Sequence, residues 1–221
     1  MKVKEIVDRV RSAIDEQMAN DSEFLKKSSD EANLTTTIID KIRYALIYII
    51  ENAPEDKLDT DMMSAISVSG ATVQAGKCVR VKLDNDILRV VSARLSSWSL
   101  SPVPVSEYSQ EYLMQQDEYA RGSWDRPVNA IVYSGTERYL EMYSAKTASD
   151  VPSITCIKKP TVAETSTMVS NQDTEVSVSS RLEAAFIYQI AGLTMVAFRE
   201  DIASALFSIA QRYLMSNQDS V

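Results

Sequence analysis

The chain has 221 residues, 45% of them hydrophobic, with a formal net charge of −8 and no histidine. Its acidity excludes tight nonspecific binding to duplex DNA through a basic face, and its apolar content excludes wholesale disorder. A chain of this size buries roughly 70% of its unfolded surface, enough for one domain, or one domain with an appendage, without covalent staples.

In the first segment Val3, Ile6, Val7, Val10, Ile14 and Met18 recur at three- and four-residue steps, with Lys4, Asp8, Arg11, Asp15 and Glu16 opposite. That spacing predicts an amphipathic helix over 2–19. The opening "MKVKEIVDRVRSAIDE" is charged throughout, unlike a secretory leader. After the cap- and loop-rich "NDSEFLKKSSDEAN", a second helix is expected from Thr35 to Asn52. Leu34, Ile38, Ile42, Ala45, Leu46 and Ile49 form one stripe, and Ile39, Ile47 and Ile50 widen it. Pro54 ends it, since proline cannot continue the hydrogen-bond ladder.

From Ile66 to Pro160 the pattern turns to β. "KCVRVKL" (77–83) alternates, and "DILRVVSARLSSWSL" (86–100) is rich in strand formers. "NAIVYSG" (129–135) and "RYLEMYSA" (138–145) flank a turn at Gly135-Thr136 and predict a hairpin, and "SITCIKK" (153–159) predicts a further strand. Residues 105–119 have helical spacing, with Tyr108, Tyr112 and Gln115 or Tyr119 on one face. The polar stretch 161–179 has no steady period and is expected to be a long loop or arm, a length that compact domains reserve for function. Helix returns from Ser180. One stripe comprises Leu182, Ala185, Phe186, Ile190, Leu193 and Ala197, and a second Ile202, Leu206, Ile209 and Tyr213. A break near Arg199-Glu200-Asp201 separates them, with Asp201 as cap. The tail 217–221 is expected to fray. The apolar run 184–198 is interrupted by Gln189 and falls short of a membrane span, so no membrane partner is expected.

The fold class expected is therefore α+β. A helical bundle is drawn from both chain ends (1–65 and 180–216), and a β-rich insert over 66–160, an antiparallel sheet or small barrel, carries a short helix.

Catalytic chemistry is scarce. Without histidine the commonest general base, metal ligand and triad partner is missing. Cys78 and Cys156 have no CxxC spacing and read as reduced, buried thiols. Five glycines, at 70, 76, 122, 135 and 192, form no phosphate-cradling loop. Carboxylates at Glu55, Asp56, Asp59, Asp61, Asp84, Asp86, Glu200 and Asp201 sit at predicted element ends, where acids cap helices and start turns. Neither an enzyme nor a metal or other cofactor is expected. The tyrosines of the middle segment lack the interleaved basic residues of a nucleic-acid stacking platform, because 106–119 carries Glu107, Glu111, Asp117 and Glu118 and no Lys or Arg. Core and subunit contacts suit them better.

The segment "VVSARLSSWSLSPVPVSEYSQEYLMQQDEYARGSWDRPVNAIVYSGTERYLEMYSAKTASDVPSITCIKKP" resembles the central region of head-to-tail connector, or adaptor ring, proteins of short-tailed, crAss-like bacteriophages. The resemblance lies in a strand ending in "ARLSSW", a "PV" step, an "EYSQEY" helix, "ARG" before "RPV", the strand "LEMYSA" and a "KP" stop. The helices "EIVDRVRSAIDE" and "RLEAAFIYQIAGL" fit the type, whereas 55–76 and 161–179 match no family pattern. The resemblance implies a non-enzymatic virion protein, assembled in the host cytoplasm. It would form a twelve-fold ring with copies of itself between the portal protein and the next tail or ring protein. DNA would pass through its lumen without sequence-specific binding. Another tail-completion protein of the virion, or a non-viral cytosolic ligand-binding or enzymatic domain, are the alternatives.

Within that expectation, Tyr119, Arg121, Trp124 and Arg126 are candidate interface residues, because arginine and tryptophan are favoured anchors between proteins. Gly122 would allow a tight turn, and Pro127 holds Arg126 extended into the next strand. An internal role, with arginine paired to Glu118 or Asp125 and tryptophan in the core, stands beside it. The arm supplies a second candidate set, Thr161, Glu164, Met168, Asn171 and Asp173, expected to order against the portal or an adjacent copy.

Overall fold

The computed structural model describes residues 1–17, 28–59, 63–65, 72–74, 78–117, 119–121, 126–145 and 152–216, with side chains placed except at 28–32 and 72–74. The chain is α+β and divides into two compact units, Met1–Asp59 with Pro160–Val221, and Thr60–Lys159.

The first unit is helical and drawn from both chain ends. It contains α1 (Val3–Gln17), α2 (Ser28–Asn52), α4 (Thr165–Ser170), α5 (Glu183–Met195) and α6 (Glu200–Met215), while α3 (Gln110–Gln116) belongs to the second unit. Helix α5 packs against α1, α2 and α6. It is buried on most of its circumference, from Ala185 and Phe186 to Thr194 and Met195, as a helix apolar all round must be. The stripe on α1 is buried at Val3, Ile6, Val7, Val10 and Ile14, and that on α2 at Ile38, Ile39, Ile42, Leu46 and Ile49. Arg9 of α1 pairs with Glu183 of α5 at 3.0 Å. A Cβ at Gly192 would lie 2.5 Å from the Phe207 ring, so this glycine sets how closely α5 and α6 approach. Buried Lys57 donates from Nζ to the carbonyls of Tyr213, at 2.8 Å, and Ser216, neutralising the negative end of α6.

Residues 161–179 differ from the expected loop. Helix α4 lies within them, Met168 and Val176 are buried, and the chain start is bound along the segment. Met1 and Val176 exchange main-chain hydrogen bonds at 2.8 Å, and Val3 and Lys4 donate to Thr174 and Gln172. Two isolated apolar anchors and a long-range main-chain pairing order this stretch, and neither leaves a period in sequence. At the α5–α6 break the N-cap is Arg199. Asp201 sits inside the first turn, and its carboxylate pairs with Arg199 at 3.1 Å.

The second unit holds two open sheets. One runs β1 (Met63–Ala65), β8 (Pro152–Lys158), β4 (Ile87–Leu95). The other runs β2 (Thr72–Gln74), β3 (Cys78–Leu83), β7 (Glu137–Tyr143), β6 (Val128–Ser134), β5 (Val105–Ser106). Among the described residues no sheet closes into a barrel, and β5 pairs with β6 in parallel, a departure from the all-antiparallel expectation. Strand β1, expected in the helical part, pairs with Thr155–Ile157 of β8. The β6–β7 hairpin turns as expected at Gly135, whose φ of 63° needs the missing Cβ.

The core of this unit gathers Val79, Val81 and Leu83 of β3, Val90, Ala93 and Leu95 of β4, Leu140 and Met142 of β7, and Ile154 and Cys156 of β8. Trp98 joins it and donates from Nε1 to the Ser144 carbonyl at 3.1 Å. Strand alternation sends Cys78, Arg80 and Lys82 to the opposite face of the five-stranded sheet.

Candidate interaction surface

The face of the five-stranded sheet turned away from this core is polar. Register places Cys78 beside Tyr143, Arg80 beside Glu141, and Lys82 beside Tyr139. Glu141 is buried at 7% exposure, and its Oε2 accepts from the Tyr143 hydroxyl at 2.6 Å and from Tyr112 at 3.5 Å. Arg80 lies 3.4 Å from Oε1 of the same carboxylate, and its guanidinium stacks 3.9 Å over the Tyr139 ring. Burial and then donation to Glu141 push the Tyr143 hydroxyl well above its ordinary value. Burial, followed by the Glu141 charge, pushes the Cys78 thiol up to about 12. This thiol is therefore protonated and a poor nucleophile near neutrality.

Helix α3 covers this polar layer. Ser109 caps it, accepting from the Tyr112 N–H at 3.2 Å. Gln116 Nε2 donates to the Tyr143 hydroxyl at 3.0 Å, and the Tyr112 and Tyr143 rings meet edge to face at 5.9 Å. The helix thus turns polar and aromatic groups inward, with Gln115 buried, while Leu113 (58% exposed) and Met114 face solvent. Gln110, Glu111 and Gln116 are exposed beside them, so the outer side of α3 is mixed. Tyr108 and Tyr119, expected on the helical face, lie outside α3 and are 85% and 100% exposed. Leu100, Val103 and Tyr133 of the same unit are exposed as well. The charges placed between 103 and 117 are Glu107, Glu111 and Asp117, all acidic.

Two sheet edges in this unit carry side-chain caps. Glu107 Oε2 accepts from the Tyr133 N–H at 3.0 Å, where β6 runs beyond β5. On β4, Arg138 donates to the Ile87 carbonyl, and Asn129 and Ser101 donate to Ala93. Such caps prevent a further strand from adding there.

The expected interface residues fall into both units. In the β unit, Tyr119 is fully exposed and Arg126 exposed, while Trp124 lies outside the described residues. Arg121 donates from Nε to the Gln115 carbonyl at 2.9 Å, at the end of α3, while Glu118 and Asp125, its expected internal partners, lie outside the described residues. In the helical unit, Thr161 and Glu164 are exposed and Met168 is core. Asn171 Oδ1 accepts from the Asp173 N–H at 3.1 Å, and Asp173 pairs with Lys2 at 3.0 Å. Of these five, Asp173 contacts the chain start, through Lys2. Leu113, Met114 and Tyr133 were not flagged by sequence. The adjacency of Leu113 and Met114 beside Tyr112 was the available signal, because neighbours in a helix cannot all share one buried face.

Three of the carboxylates at element ends have side-chain partners, Asp86 with Lys158 at 3.1 Å, Asp59 with the Ser179 hydroxyl at 3.2 Å and Asp201 with Arg199, and Asp61 lies outside the described residues. Among the described residues no three acids or thiols are grouped to hold a metal, and no helix is long and apolar enough to cross a membrane. No family model and no curated protein matches this chain.

Proposed function

We propose that this chain is a structural ring protein of a short-tailed phage virion, a head-to-tail connector whose copies sit between portal and tail and extend the DNA channel. The observation that carries the reading is the apolar surface around α3. Leu113 and Met114 are exposed on this helix, with Tyr108 and Tyr119 exposed before and after it, a surface suited to being covered by another protein. The chemistry of the chain supports the same reading, since it has no histidine and its two cysteines are buried. In this reading α1, α2, α5 and α6 form one bundle with the β unit as an insert. The acidic excess keeps DNA phosphates from sticking during passage.

The test is location. Imaging and mass spectrometry of purified particles are expected to find twelve copies at the head–tail junction. Particles that lack this chain yet retain their genome and a complete tail would overturn the proposal.

A further inference from the structure

We infer that α3 is a hinged cover, a helix that lifts off the five-stranded sheet while both sheets of its unit stay folded. The inference concerns how α3 is held rather than what touches it, and it stands apart from the ring reading.

Three features keep the closed state weak. The helix is seven residues long, Gln110–Gln116, too short to hold itself in water, so its contacts with the sheet decide whether it stays. Those contacts bury little of the helix. The core of the unit draws on β3, β4, β6, β7, β8, Trp98 and Ala145, and not on α3. The one residue of α3 that is buried is Gln115, and its Oε1 has no donor among the described residues. Closing therefore strands an acceptor that water satisfies when the helix lifts. Under α3, register sets Val128 beside Tyr143 and Ala130 beside Glu141. Ala130 is buried and Val128 half-buried, a small apolar footing.

The third feature is what lifting leaves behind. Glu141 keeps Arg80 at 3.4 Å and the Tyr143 hydroxyl at 2.6 Å, both supplied by the sheet, so the bared face is a paired charge that water can reach. The fastenings are Gln116 Nε2 on the Tyr143 hydroxyl at 3.0 Å, the 3.5 Å contact from Tyr112 to Glu141, and the edge-to-face rings of Tyr112 and Tyr143. On the N-terminal side Val105 and Ser106 pair into the sheet and Glu107 caps the Tyr133 N–H, which places the hinge at Tyr108–Ser109. At the other end Arg121 donates to the Gln115 and Asp117 carbonyls, bonds that travel with the helix. Lifting uncovers Cys78, buried beside Tyr143, whereas Cys156 lies in the core that stays closed.

Hydrogen exchange and thiol labelling of the full native chain, both read peptide by peptide by mass spectrometry, test this. Amides of 113–117 should exchange about a hundredfold faster than those of 138–143. With each labelling rate divided by its value in the unfolded chain, Cys78 should react at least about tenfold faster than Cys156. Gln116→Ala and Tyr112→Ala each remove a fastening without touching the sheet. Each should speed Cys78 labelling about fivefold and leave Cys156 unchanged. Equal rates at the two cysteines overturn the cover, as does exchange of 113–117 in step with 138–143. Cys78 labelling that is indifferent to both variants, or variants that speed both cysteines equally, also overturn it.

Discussion

The side-chain amide of Asn129 donates to the main-chain carbonyl of Ala93 at 2.6 Å, tying β6 of one sheet to β4 of the other. The same nitrogen reaches the Pro102 carbonyl at 2.8 Å, and Asn129 is fully buried. Removing it leaves buried carbonyls short of a donor. Asn129→Ala should therefore cost about 2 kcal/mol, read as a lower urea midpoint at unchanged m-value. Asn129→Asp should cost more, because a carboxylate there would face carbonyl oxygens without water. Equal stability of wild type and Asn129→Ala would show that the tie contributes nothing.

The thiols give a second prediction. Cys78 and Cys156 are both buried and free, and burial is the first cause raising each. At pH 8 the native chain should react with a disulfide reagent about a hundredfold more slowly than the chain unfolded in guanidinium, where both thiols react. Fast labelling of either cysteine in the native protein would contradict the burial described for it.

Glu137 tests the outer face of the hairpin. Hydrogen bonds from Lys82 and then Tyr139 hold its carboxyl below the ordinary value. A depressed carboxylate adds stability above its unfolded pKa, and that contribution fades as pH falls through the folded one. Carboxyl NMR should find Glu137 titrating below 4.5 in the wild type and moving up in Lys82→Ala. An unmoved titration in the variant would mean that the pair does not form in solution.

Met168 anchors the segment once expected to be an arm. It is 1% exposed on α4, which packs against α2. Met168→Ala should destabilise the helical unit by about 2–3 kcal/mol, and proteolysis should open 161–179 in the variant before the wild type. Equal and rapid cleavage of that segment in both would restore the arm.

Much of the fold was legible because long periodic stripes, such as Val3–Ile14 and Ile38–Ile49, have one way to be buried. The turn at Gly135 was legible because a glycine, which tolerates the φ of 63° found there, stands between two strand-forming runs. Strands β1, β2 and β5, of two or three residues, are too short to show a period. The candidate surface was half visible. The acid-only, tyrosine-rich 106–119 segment was marked by sequence as a candidate for core and subunit contacts. Yet which side of α3 faces out depends on the pairing of Arg80 with Glu141 and Cys78 with Tyr143, a register set by sheet formation between distant residues. Local sequence also could not tell that Arg121 donates from Nε to the Gln115 carbonyl.

The β unit is contiguous in the chain, whereas the helical unit is completed by residues 183–215. During synthesis α1 and α2 leave the ribosome with their apolar stripes uncovered and wait for α5, on the order of ten seconds at about 5–20 residues per second. The sheets can form within that wait. A nascent chain halted before residue 183 would thus carry finished sheets beside two sticky helices, the state most in need of a chaperone.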